Sequence, residues 1–252
     1  MNYQNGALLL SLLLMMGCSP KGVLPPTAIY PVQWFPGYAM NDMLAKKAPL
    51  HDQHDVQALL DKPWDFSYKL TNLQTHQVFN ADRCSQILPD LPQLETYRHF
   101  ESRSFMYLTA LCVATESIAK ARPARYSALS TFKLDAELPQ HVPKNLALII
   151  SVSEWKKIAQ NKKIVSWAQA ETVKFVSKDG EYRAKYAMIG AYQEISLIAR
   201  GDFNHDGVED LLLLAQSHVV GGTYAAHRLF WVTKKNTNSP ITLIREFPPD
   251  SQ

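Results

Sequence analysis

Between Gly201 and Leu214 the chain reads Gly-Asp-Phe-Asn-His-Asp-Gly-Val-Glu-Asp-Leu-Leu-Leu-Leu, a run of oxygen donors that passes directly into an apolar segment. Asp202, Asn204 and Asp206 alternate, so a tightly turning backbone can aim all three side chains inward, and Gly207 supplies a residue that tolerates φ > 0. The Val208 carbonyl and Asp210 complete a natural ligand set made only of oxygens. Asp202, Asp206 and Asp210 together crowd negative charge into one turn, which is unfavourable without a cation between them. Such a set suits a hard ion, Ca²⁺ ahead of Mg²⁺. The following segment, Leu211 to Ala215, has no polar face and therefore reads as a central strand covered on both sides.

The spacing Asp-x-Asn-x-Asp-Gly-x-x-Asp followed by leucines resembles the calcium loop of FG-GAP, or integrin β-propeller, repeats and their bacterial relatives. His205 stands where that family often has Gly, with its side chain expected to point outward. A propeller needs several copies of the motif, and no second copy is found, so the loop is carried over and the propeller is not. The first half also fits an EF-hand, but that loop requires Glu at its twelfth position, where this chain has Leu213.

Met1 to Gly17 holds no charged side chain, and its apolar run, Ala7 to Met16, is about half of the roughly 20 residues that span a bilayer. It reads as a leader, not as part of the fold. Leu14-Met15-Met16-Gly17-Cys18 resembles the lipobox of bacterial lipoproteins, which implies cleavage before Cys18 and acylation of that residue. Met15 replaces the usual Leu, and no Lys or Arg precedes the apolar run. Each buried acyl methylene is worth about 0.8 kcal/mol, so several chains make a stable anchor. Ser19 rather than Asp after the cysteine implies the outer membrane, facing the periplasm. The wider pattern Arg200-Gly-Asp-Phe, Gly221-Gly-Thr-Tyr and Arg228-Leu-Phe also looks like uncharacterised proteobacterial lipoproteins. The expected partners are the lipid bilayer, through acylated Cys18, and an envelope protein or glycan. A net charge of only +3 is too small for a nucleic-acid footprint. With Cys18 acylated, Cys84 and Cys112 remain in a compartment that forms disulfides. A bridge between them is expected, with two buried free thiols as the alternative.

The organisation that follows is a leader over 1–17, a Pro- and aromatic-rich tether over 18–49, and a single α+β domain over 50–252. Proline density from Pro20 to Met43 prevents regular helix. The tether's aromatics are expected either to pack back on the domain or to sit at the bilayer interface. The domain divides into a helical part, about 50–160, and a β-rich part, about 165–248. The helical part opens with a short helix from Leu50 to Leu60, in which His51, Asp52, His54 and Asp55 read as a solvated helix start. A strand is expected from Trp64 to Leu70, and then a long helix from Leu94 to Lys120 with Cys112 on its buried stripe. Strand character follows from Tyr126 to Leu138, then a buried strand at Leu146 to Ile150 and a short helix capped by Ser151 and Glu154.

In the β-rich part, strands at 172–177 and 181–188 flank the hairpin signal Asp179-Gly180, and further strands lie at 194–200, 211–215, 229–232 and 241–247. The whole is a C-terminal antiparallel meander covered on one face by the earlier helices, with the cation loop between its third and fourth strands.

No Gly-x-Ser-x-Gly elbow and no His-Glu-x-x-His helix is present. Two Ser-x-x-Lys matches, Ser117 to Lys120 and Ser153 to Lys156, lack their Ser-Asp-Asn and Lys-Thr-Gly companions. The sequence points first to a lipid-anchored, non-enzymatic binding or structural protein of the envelope with a Ca²⁺-stabilised domain. A periplasmic hydrolase with a structural Ca²⁺ ion is the alternative. The aromatic tether and the Gly221-Gly222 turn are the candidate contact surfaces of a third reading, an inhibitor or chaperone.

Overall fold

The computed structural model describes residues 29–249, so the leader, Cys18 and Ser19 lie outside the described residues. Its strands are β1 (Gln33–Trp34), β2 (Tyr68–Asn72), β3 (Val78–Ala81), β4 (Leu94–Thr96), β5 (Lys174–Asp179), β6 (Arg183–Met188), β7 (Ala191–Gly201), β8 (Asp210–Val219), β9 (Ala225–Thr233) and β10 (Thr242–Phe247). The α-helices are α1 (Gln53–Ala58), α2 (Cys84–Ile87), α3 (Ser102–Lys120), α4 (Leu138–His141), α5 (Val152–Gln160) and α6 (Trp167–Ala170). Mixed helices and antiparallel sheets make this an α+β fold ending in a strand meander.

The main sheet runs β10-β9-β8-β7-β6-β5, each strand antiparallel to its neighbours. Sequential order follows from tight turns, as at Gly180, where φ is +64° and only a residue without Cβ is unstrained. β8 is the centre of the sheet, and Leu211 to Ala215 is buried throughout, as its unbroken apolar run requires. Along β7 the edge is shared. β6 pairs with its first half, from Ala191 to Ser196, and β1 pairs with Ala199 and Arg200.

Both faces of the sheet are covered, not one. On one face Leu212, Leu214, Leu229 and Trp231 pack into a core with α3, α1 and the small sheet β3-β2-β4. On the other, Leu211, Leu213, Ile195 and Tyr186 pack against Leu129, Leu134, Leu138, Val142, Leu146 and Trp167. A bulge between Leu197 and Ala199 divides β7 between these cores. Before the bulge Ile195 and Leu197 face the second core; after it Ala199 faces the first, because one extra residue inverts the side-chain alternation.

Several elements depart from the sequence reading. The helix predicted from Leu94 begins at Ser102: Leu94–Thr96 is instead an edge strand on β2, and a 3₁₀ turn at His99–Glu101 leads into α3. Backbone pairing to β2 outweighs the helical periodicity there. Every residue from Leu108 to Thr115 is buried, so α3 has no solvent stripe along that stretch. The strand predicted from Trp64 starts at Tyr68, and Phe66 is partly exposed while Trp64, Tyr68 and Leu70 are buried.

Leu146 to Ile150 is not a strand. It passes from a 3₁₀ turn (Lys144–Leu146) into irregular chain, burying Leu146 and Ala147 and exposing Ile150, and no strand among the described residues pairs with it. Tyr126 to Leu138 likewise forms turns, apart from one parallel bridge to Val208. The segment read as a tether is built into the domain from residue 30: β1 joins the sheet, and Tyr38, Met40 and Leu44 are buried in the core. Cys84 and Cys112 are bridged, with Cα atoms 5.4 Å apart, pinning α2 to the middle of α3.

No helix among the described residues is long and apolar enough to cross a membrane.

Candidate functional site

The loop from Asp202 to Glu209 connects two largely buried strands of the sheet, β7 and β8, and begins at a close backbone approach. A Cβ on Gly201 would stand 3.3 Å from both Ala121 Cβ and Val32 Cγ2, so a larger residue would push the loop off the end of α3. The loop then folds on its own side chains. Asp202 Oδ1 accepts the Asp206 N–H at 3.0 Å and Oδ2 the Gly207 N–H at 2.9 Å. Asn204 Oδ1 accepts the Asp206 N–H at 3.0 Å, and Asp206 Oδ1 accepts the Val208 N–H at 2.9 Å. The Asn204 and Asp206 bonds, each to the residue two further on, are Asx turns, the local alternative that Asp and Asn offer a backbone. Left-handed φ angles at His205 (65°) and Gly207 (86°) let the chain curl inside these bonds. His205 points away from the turn, as expected, with Nε2 3.0 Å from the Lys120 carbonyl.

Asp202 and Asp210 are buried at the base of the loop, while Asn204 and Asp206 are exposed at its top. Asp210 is fully buried; its Oδ2 accepts the Phe203 N–H at 3.0 Å, and its Oδ1 has no hydrogen-bond partner. Thr233 lies opposite it on β9 and draws its pKa downward, yet the Thr233 hydroxyl also lacks a partner in hydrogen-bonding geometry. Burial dominates. It pushes the Asp210 carboxyl up to about 6, with repulsion from Asp206 and Asp202 acting in the same direction.

A second strand of chain clasps the loop. Arg122 and Asp202 exchange backbone hydrogen bonds of 3.0 and 2.8 Å, and Arg125 and Tyr126 both donate to the Gly207 carbonyl. The Val208 carbonyl takes no part in that pairing. All five ligands expected from the sequence therefore belong to one turn, with an orphaned carboxylate oxygen at its base. Among the described residues, the group whose carboxylate and imidazole atoms come within 4.8 Å of one another is Asp52, His54 and Asp55. Asp202, Asp206 and Asp210 do not form such a group; their oxygens accept backbone N–H groups of the loop. Asp52 and Asp55 are engaged locally: Asp52 caps α1 by accepting the Asp55 N–H, and Asp55 accepts from His51. That is the solvated helix start read from the sequence.

One feature of the loop had no sequence signal. Glu209 points to the opposite side from Asp210 and is buried, where it accepts the Ser127 hydroxyl at 2.6 Å and faces Arg200 Nη1 at 3.3 Å. Arg200 and Glu209 stand nine apart in sequence and meet because β7 and β8 are neighbours; Ser127 arrives from the clasping segment. They line a cleft of about 500 Å³.

Neither Ser-x-x-Lys match is assembled. Ser117 donates to the Val113 carbonyl while Lys120 pairs with Glu116, and Ser153 bonds Ser151.

No family model, curated protein or solved structure matches this chain.

Proposed function

We propose that this chain is an outer-membrane-anchored lipoprotein, facing the periplasm, whose globular domain is stabilised by Ca²⁺ in the β7–β8 loop and serves a binding or structural role in the envelope. The observation that carries the calcium reading is the orphaned Oδ1 of fully buried Asp210, whose carboxyl feels the charges of Asp206 and Asp202. A carboxylate in that position is costly unless it is protonated or meets a cation. Asp202, Asn204, Asp206, the Val208 carbonyl and Asp210 would hold the ion, which supplies charge neutralisation at the joint between β7 and β8. All five come from one turn, an arrangement that suits a structural ion. The anchor rests on the leader and Cys18, and the Cys84–Cys112 bridge accords with an oxidising compartment.

Two measurements test this. A thermal melt of the protein in chelator, then with millimolar Ca²⁺ or Mg²⁺, is expected to rise selectively with Ca²⁺, and the rise to vanish in Asp206→Ala. No shift with either ion would reduce the loop to a hydrogen-bonded turn. Membrane fractionation is expected to release Cys18→Ala to the soluble periplasm and to leave Asp206→Ala in the outer membrane; a Cys18→Ala protein that stays there would sink the lipid anchor.

A further inference from the structure

We propose that the cleft beside the loop binds a small organic anion, a carboxylate or phosphate ester with a flat apolar body. The inference is independent of the calcium reading.

Its charged end is built around Arg200. The guanidinium is mostly buried, and a single nitrogen, Nη1, serves both the Leu129 carbonyl at 3.0 Å and Glu209 at 3.3 Å. Nε and Nη2, the edge that binds carboxylate or phosphate oxygens in pairs, take no acceptor among the described residues. Glu209 is already balanced by Arg200 and Ser127, so it fixes the guanidinium rather than competing for a ligand. Lys133 and Lys178 line the same cleft, and neither ammonium has a hydrogen-bond or ion-pair partner among the described residues. Against these stands Glu181, the remaining carboxylate of the lining, so the net charge favours an anion.

The apolar end is a preformed wall. Phe35 and Tyr182 stack with ring centroids 4.3 Å apart and planes within 11° of parallel, and both line the cleft. Phe35 comes from the segment after β1 and Tyr182 from the β5–β6 turn, so the wall exists only because β1 and β6 share the edge of β7. A volume of about 500 Å³ lies within the ~300–1,000 Å³ usual for small-molecule sites.

The test is calorimetric titration of the full chain in detergent with phenyl phosphate, benzoate and inorganic phosphate, each in chelator and in Ca²⁺. Phenyl phosphate is expected to bind at least about tenfold more tightly than inorganic phosphate. Lys133→Ala/Lys178→Ala, two changes on the protein surface, should weaken it by about tenfold or more with the melting temperature unchanged. Tyr182→Ala should remove the preference for the phenyl group and leave inorganic phosphate binding intact. Benzoate against phenyl phosphate tells which head group the cleft takes. Absence of saturable binding of all three probes at millimolar concentration would overturn the proposal, and so would binding that the lysine variant leaves unchanged. Because binding is read in chelator as well, its failure is separable from failure of the calcium site.

Discussion

Replacing Asp210 by Asn should change the sign of its effect on stability according to whether calcium is present. The carboxyl ionises near 6 in the fold against an ordinary value of 3.8. Well below pH 3.8 it is protonated in both states and costs nothing; between 3.8 and 6 the unfolded chain ionises while the folded one keeps its proton, so stability falls across that window and the loss is complete above 6. At 1.36 kcal/mol per pH unit of difference, the fold loses up to about 3 kcal/mol by neutral pH. Asn carries no charge, keeps the acceptor for the Phe203 N–H, and offers an N–H toward the unpartnered Thr233 hydroxyl. In chelator at pH 7.5, Asp210→Asn is therefore expected to be about 1–3 kcal/mol more stable than the parent in urea unfolding, with the gain fading below pH 5. Calcium reverses the order. At a free concentration of 1,000 Kd it stabilises the parent by about 4.1 kcal/mol and the variant not at all. His227, also buried, titrates in both proteins and cancels from the difference. A variant that is less stable than the parent in chelator at pH 7.5 would refute the reasoning, because Asp210 would then be stabilising the fold as a free carboxylate.

Other perturbations follow from single structural features. Removing the Cys84–Cys112 bridge by a double Ala substitution frees a loop of sequence separation 28, worth about 3.6 kcal/mol by chain entropy, and should lower the urea midpoint accordingly. Gly207→Ala meets no atom within 4 Å, so its cost is backbone strain alone at φ +86°, about 1–2 kcal/mol by denaturant titration. His227, whose ring lies tilted against that of Tyr107, is held neutral by burial, which pulls it down to about 4. Its folded value lies below the ordinary 6.5, so its contribution to stability is complete above 6.5 and is lost as pH falls toward 4. His227→Phe should flatten that acid limb of the stability profile, and an unchanged slope would reject the assignment.

The stretch from Gly201 to Ala215 was readable because local chemistry decides it. Asx turns, left-handed φ at Gly207 and an apolar run need no distant partner to be recognised, and the meander after Asp179-Gly180 follows from turn residues and alternation. The Cys84–Cys112 bridge was an expectation resting on the reading of Cys18 as acylated, and the helix after Ser151 was readable from its cap, which accepts the Glu154 N–H.

Other features were settled by contacts that sequence order does not encode. Leu94 to Thr96 carries helical periodicity but pairs with β2, since an available strand edge satisfies more backbone than a frayed first turn of helix. The bulge at Leu197 to Ala199 assigns β7 to two cores at once, and alternation read along the strand cannot foresee an inserted residue. Residues 30–44, rich in proline and aromatics, enter the core because β7 leaves half an edge free for β1. That same gap sets Phe35 beside Tyr182 and opens the cleft onto Arg200. The sequence by itself determined the turn chemistry of the loop and the order of the strands, both of which arise from near neighbours. Only the tertiary structure decided which face of Glu209 meets Arg200, because that contact exists where three separated segments converge.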